Sequence, residues 1–193
     1  MRLFVAGFPP PEAVEHLRSA VAGLRLWQAA AAGGTVRMPT PDSWHLTVAF
    51  LGPVAERRPE IEAAVDGGVR HWRSGASEPL ALRLGGGGRF GSGRSAVVWV
   101  GVSGAVAELT RLSDAIRTEL TRCGVLPDER PFRAHLTLAR PGTGLSAVAI
   151  QADLAALDRY LGPRWTLDRL DLVASHSGPQ RRYERLWSVP VAP

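Results

Sequence analysis

Apolar positions along the chain follow two rhythms: alternation in short runs and a three-to-four-residue repeat in longer ones. Arg2 to Phe8 is a short apolar strand, and Glu12 to Leu26 has helical spacing behind a proline lead-in, where proline is tolerated. An Ala/Gly loop over 29–34 leads to Trp44-His45-Leu46-Thr47-Val48-Ala49-Phe50-Leu51-Gly52, an extended run closed by Gly52-Pro53. Arg58 to Arg70 predicts a second helix. Leu80 to Leu84 and Ala96 to Val102 predict strands joined by a glycine-rich hairpin loop, Gly85 to Gly93. The clearest helix follows, with Leu109, Leu112, Ile116 and Leu120 on one face and Gly124 just past its end.

Beyond Pro127 and Pro131, the run from Phe132 to Pro141 is again strand-like. A helix from a Ser146 cap through Ile150, Leu154, Leu157 and Leu161 stops at Gly162-Pro163. Trp165 to Val173 and Tyr183 to Val189 predict two closing strands. No linker, low-complexity tract or charge block interrupts residues 1–193, so the expectation is one domain.

Composition narrows the classes. With 193 residues, 45% hydrophobic and 21% charged, the chain should bury roughly 70% of its unfolded surface and needs no disulfide or metal staple. Charge-free runs such as Ser95 to Ala107 fall well short of the ~20 apolar residues that cross a bilayer. The N-terminal apolar run is too short for a secretory core, so a cytoplasmic, membrane-free protein is expected. A lone Cys123 excludes an intrachain disulfide and sulfur-based metal sites. All 23 basic residues are arginine against 18 acids, a net +5. Absent lysine rules out Schiff-base chemistry, a Walker lysine and a lysine-adenylate ligase. The mild positive excess is compatible with a polyanionic partner.

One phrase occurs twice. His45-Leu46-Thr47-Val48-Ala49 and His135-Leu136-Thr137-Leu138-Ala139 each follow a helix-and-loop stretch and precede a helix. Chance would produce such a matched pair in roughly one sequence in a thousand, so the chain reads as two related halves. Alternation puts His45 and Thr47 on one face and Leu46, Val48 and Phe50 on the other. His135 and Thr137 are likewise set apart from Leu136, Leu138 and Arg140. Strands brought together would converge two imidazoles and two hydroxyls on one tetrahedral anion. Opening a phosphodiester requires one proton removed from water and one delivered to the leaving oxygen. Two histidines with a reference pKa near 6.5 suit both tasks.

These paired motifs resemble the two-histidine (2H) phosphoesterase superfamily, together with Arg2 to Ala6, the Phe50-Leu51-Gly52 tail, the Phe90 and Trp99 region and Phe132 to Arg140. Within it the chain is similar to RNA 2′,3′-cyclic phosphodiesterases, also labelled 2′-5′ RNA ligases. The resemblance implies an α+β, bilobal, pseudo-twofold fold, with antiparallel sheets backed by helices around a central cleft. It implies metal-independent opening of a 2′,3′-cyclic phosphate at an RNA or oligonucleotide end to a 2′-phosphate, with no cofactor and a monomeric enzyme. An ATP-independent 2′-5′ ligase side activity can accompany this chemistry. His45 would be proton donor and His135 proton acceptor, although near-symmetry leaves the exchange of roles open. Thr47, Thr137 and Arg140 would hold the phosphate, and Phe50 would serve as base-stacking or pocket residue. The chain departs from the family pattern at Ala134, where proline usually precedes the second histidine, and only loosely follows it from Ser175 to Tyr183.

Other signals are assigned structural roles. His16 reads as a solvent-facing residue of the first helix, His71 as following a helix and His176 as part of a loop-like Ser/Gly stretch. Gly86-x-Gly88-x-x-Gly91 is rejected as a dinucleotide fingerprint, because it precedes a strand rather than opening a helix. Arg57-Arg58 and Arg181-Arg182-Tyr183 are weak candidates for an RNA backbone. Trp44, Trp72, Trp99, Trp165 and Trp187 read mostly as core or rim filler. The alternatives are a non-catalytic module for RNA ends or nucleotides, and a phosphodiesterase for small cyclic nucleotides.

Overall fold

The computed structural model describes residues 1–75, 78–176 and 182–191. Strands are β1 (Arg2–Gly7), β2 (Leu46–Gly52), β3 (Ala81–Phe90), β4 (Val97–Gly104), β5 (His135–Ala139), β6 (Trp165–Thr166), β7 (Arg169–His176) and β8 (Arg182–Pro190). Helices are α1 (Pro11–Val21), α2 (Arg25–Ala31), α3 (Arg58–Ser74), α4 (Val106–Arg122) and α5 (Ala147–Asp158). The strands form one antiparallel sheet in the order β6-β3-β4-β5-β2-β1-β7-β8. The α+β expectation is met, with both motif strands adjacent at the centre.

Alternation along β1, β2, β4 and β5 turns Leu3, Val5, Leu46, Val48, Val98, Val100, Leu136 and Leu138 to one face. There they join Leu17, Leu26, Ile61, Leu112, Ile116 and Leu157 from the helices in a single core. Phe4, Ala6 and Val173 form a separate small cluster with Phe8 and Tyr183. The helices thus cover one face of the sheet and leave the other for chemistry.

The pseudo-twofold is visible in the connections. In one half β1 runs through α1 and α2 to β2, and in the other β4 runs through α4 to β5, so each motif strand returns beside its predecessor. The two sheets expected from the resemblance are halves of a continuous one. Their seam carries a single ladder pair among the described residues, Leu46 opposite Leu136.

Three local expectations change. The helix foreseen over Glu12–Leu26 breaks at Ala22-Gly23-Leu24, and α2 restarts because the buried Asp153 carboxylate of α5 accepts from the Arg25 and Leu26 amides at 3.0 and 2.8 Å. The capping residue comes from another helix, invisible to a local reading. The strand foreseen over Trp165–Val173 splits: β6 pairs with β3, and after Leu167-Asp168 β7 crosses to β1. Gly85 to Gly88 lie inside β3 rather than in a loop, and the tight connection to β4 begins at Gly91. A Cβ on Gly87 would meet Leu157 and the Leu154 carbonyl of α5, and one on Gly88 would enter the indole of Trp99. These glycines serve close approach, and Gly86, at φ +75, sits in a bulge of the ladder.

Candidate active site

His45 immediately precedes β2 and His135 opens β5. With Leu46 facing Leu136, antiparallel register continued one residue each way sets His45 beside Thr137 and Thr47 beside His135. The histidines are diagonal neighbours, at a spacing of roughly 7–8 Å between backbones. All four side chains are half-buried, whereas Leu46, Val48, Leu136 and Leu138 are buried.

Both imidazoles are anchored identically. Nδ1 of His45 lies 2.6 Å from the Ser43 carbonyl and Nδ1 of His135 2.7 Å from the Arg133 carbonyl, each two residues upstream. A carbonyl only accepts, so Nδ1 carries the hydrogen in both rings and Nε2 is the atom that gains or loses a proton. The ring environments differ. His45 sits among Phe4 at 4.8 Å, Tyr183 edge-on at 5.2 Å and Phe8 at 5.7 Å between centroids. His135 meets Phe90 edge-on at 4.8 Å and Trp99 at 6.0 Å. Burial pushes the His135 imidazole below its ordinary value; the Arg133 and Arg130 guanidiniums act in the same direction, against the bond to the Arg133 carbonyl.

Strict alternation would have turned Phe50 and Arg140 into the core. Both strands escape it by a bulge at the third residue after histidine. Opposite β1, Val5 pairs with Ala49 but Ala6 with Thr47, so Val48 is the extra residue. Opposite β4, Trp99 pairs with Thr137 but Val98 with Ala139, so Leu138 is extra. After each bulge two consecutive residues are buried and the next is exposed: Val48-Ala49 then Phe50, and Leu138-Ala139 then Arg140. Phe50 is opposite Phe4, whose ring touches His45, so it emerges on the histidine face, correcting the side assigned from sequence. Each exposed residue is also tied to the loop that leads into the other motif. Asp128 N–H donates to the Phe50 carbonyl at 3.0 Å, and Arg37 and Arg140 exchange backbone bonds at 3.0 and 2.8 Å.

Sequence reasoning missed the aromatic walls Phe4, Phe8 and Tyr183, together with Arg185. The Arg185 guanidinium lies 3.9 Å over Phe8 and 3.3 Å from the buried Asp171 carboxylate, which also accepts from Ser188 at 2.6 Å. The only advance signal was alternation in β1, which sends Phe4, Ala6 and Phe8 to one side. Trp99 is no filler, since it lies against His135. The weak Arg57-Arg58 candidate is absorbed structurally: Arg57 caps α4 at the Cys123 and Gly124 carbonyls, and Arg58 binds Glu62 and the Leu186 carbonyl. Arg181 lies outside the described residues, Arg182 is exposed and Tyr183 belongs to the His45 wall. His16 contacts the Tyr160 hydroxyl at 3.1 Å and His176 pairs with Glu184 at 3.1 Å; neither joins the central strands. Among the described residues no three His, Cys, Asp or Glu side chains are grouped as metal ligands, and no helix is long and apolar enough to cross a membrane.

Comparison with known proteins gives a consistent set of relatives. A family model described as the 2′-5′ RNA ligase superfamily matches residues 9–179. The RNA 2′,3′-cyclic phosphodiesterase of Aeropyrum pernix is 37% identical over 100 residues, 51% of this chain and 53% of that protein. The chain thus spans about half the length of the curated relatives it matches. Over the whole fold, TT0787 of Thermus thermophilus superposes with a TM-score of 0.73 at 25% identity, covering 99% of this chain and 98% of that one. Escherichia coli LigT, crystallised with 3′-AMP, does so at 0.72 and 25%, covering 100% and 98%.

Proposed function

Because the chain belongs to the 2′-5′ RNA ligase superfamily, we propose that it is a metal-independent RNA 2′,3′-cyclic phosphodiesterase, a single bilobal domain that opens terminal cyclic phosphates to 2′-phosphates. The A. pernix relative bears that name, and LigT forms a crystalline complex with 3′-AMP, a nucleoside monophosphate. The observation that carries the reading is the seam pair Leu46–Leu136, whose register, continued, puts a histidine of one motif beside the threonine of the other, together with both rings held through Nδ1.

Neutral His135 takes a proton from water through Nε2 as the water oxygen bonds to phosphorus. The bond from phosphorus to O3′ breaks, and protonated His45 delivers a proton from Nε2 to that oxygen. The 2′ ester remains, so the product carries a 2′-phosphate and a 3′-hydroxyl. Depression of His135 favours it as the base. Thr47 and Thr137 donate hydroxyl hydrogens to the non-bridging oxygens, Arg140 supplies a charged fork, and Phe50 lines the substrate pocket with an exposed ring.

The test is an oligonucleotide with a 2′,3′-cyclic phosphate end, its end group followed by phosphorus NMR in the presence of EDTA. The wild type should yield only the 2′-phosphate, and His45→Ala or His135→Ala should each lose at least a hundredfold in kcat. Full turnover by either variant would overturn the assignment. Binding of the oligonucleotide without product would mark a binding module, and preference for a cyclic mononucleotide would mark a small-substrate enzyme.

A further inference from the structure

We propose that Arg133 and Trp99 form a nucleobase platform on the His135 flank, an inference that rests on the function proposed above. The Trp99 indole is packed against the sheet over Gly88, where any Cβ would collide with it. The Arg133 guanidinium covers the indole at 4.4 Å and reaches Phe90 at 5.9 Å, while Phe90 and Trp99 pack at 5.3 Å. Arg133 remains exposed while it covers the indole.

A guanidinium fixed on an aromatic ring has lost its rotamer freedom before a ligand arrives, and its flat face stacks on any base irrespective of sequence. Beside it lies a recess of about 290 Å³, at the small end of ligand pockets, lined among others by Trp99, Val106, Thr110, Phe132 and Arg133. The platform is tied to the proposed chemistry through one residue: the Arg133 carbonyl orients His135, while its side chain stacks. The ligand class is therefore a nucleotide whose base stacks on Arg133 while its phosphate meets His135, with little preference among bases.

The test compares two cyclic-phosphate ends, one carrying its base and one abasic, in wild type and Arg133→Lys, which keeps the charge and removes the plane. Base stacking implies that the wild type favours the base-bearing end and that Arg133→Lys lowers the ratio of kcat/KM for the two about tenfold or more. An unchanged ratio, with both substrates falling together, would overturn the platform and leave a purely electrostatic arginine. Read instead as Kd by calorimetry, with a 2′-phosphate nucleotide and its abasic counterpart, the same comparison tests the platform even if the wild type turns over neither substrate, a result that would sink the hydrolysis alone.

Discussion

The buried hydroxyl of Ser113 on α4 donates to the Val48 carbonyl at 2.8 Å, at the residue where β2 slips register against β1. A bulge disrupts the ladder, and here a helix supplies a donor at that point. Ser113→Ala should cost about 1–3 kcal/mol in urea unfolding, the penalty for a buried acceptor left short of a partner. Phe50 stands two residues beyond, so KM for a cyclic-phosphate oligonucleotide should rise as well. An unaltered urea midpoint would show that Ser113 does not hold the bulge.

Activity should tolerate mild acid. A general base works only when neutral, and His135 titrates below the imidazole reference of about 6.5. The acid limb of kcat/KM should therefore lie below pH 6.5. Arg133→Gln, which removes a nearby positive charge, should move it upward, whereas Arg133→Lys should not. An acid limb above pH 6.5 in the wild type would remove His135 from the role of base.

The same depression has a stability consequence. The folded state binds fewer protons at His135 than the unfolded chain, so its contribution is present above about pH 6.5 and is lost as pH falls through the lower folded value. Urea midpoints from pH 8 to pH 5 should decline in the wild type and decline less in His135→Asn. Parallel curves would show that His135 carries no such linkage.

Gly88→Ala should displace Trp99, because the new methyl occupies the volume of the indole. Overpacking of this kind costs about 1–3 kcal/mol, and near-ultraviolet circular dichroism should change with the stability. A wild-type spectrum and midpoint would mean that the indole does not lie against Gly88.

Asp153→Ala should strip the start of α2 of its acceptor, with faster hydrogen exchange at the Arg25 and Leu26 amides and a loss of about 1–2 kcal/mol or more. Asp153→Asn retains one acceptor oxygen and should lose less.

Much of this architecture was readable along the chain because its causes are local. The apolar face Leu109, Leu112, Ile116 and Leu120 became α4, Gly124 took the positive φ that a helix end favours, and Ser146 capped α5 through the Ala149 amide at 3.2 Å. The repeated His-x-Thr phrase fixed both central strands and the parity of His45, Thr47, His135 and Thr137, because side-chain alternation follows from the pleat alone. Glycines misled the reading at Gly85 to Gly88, since a missing Cβ serves a turn and a close approach equally well.

What lay outside a one-dimensional reading were relationships between distant segments. Local pattern carries no information on which strand pairs with which, so the Leu46–Leu136 seam, the crossing of β7 to β1 and the cap lent by Asp153 appear only on folding. Phe50 and Arg140 depend on this most. Residue order alone sends both to the core, and an extra residue in the ladder beside each, apparent only against a paired strand, turns Phe50 to the histidine face and leaves Arg140 exposed.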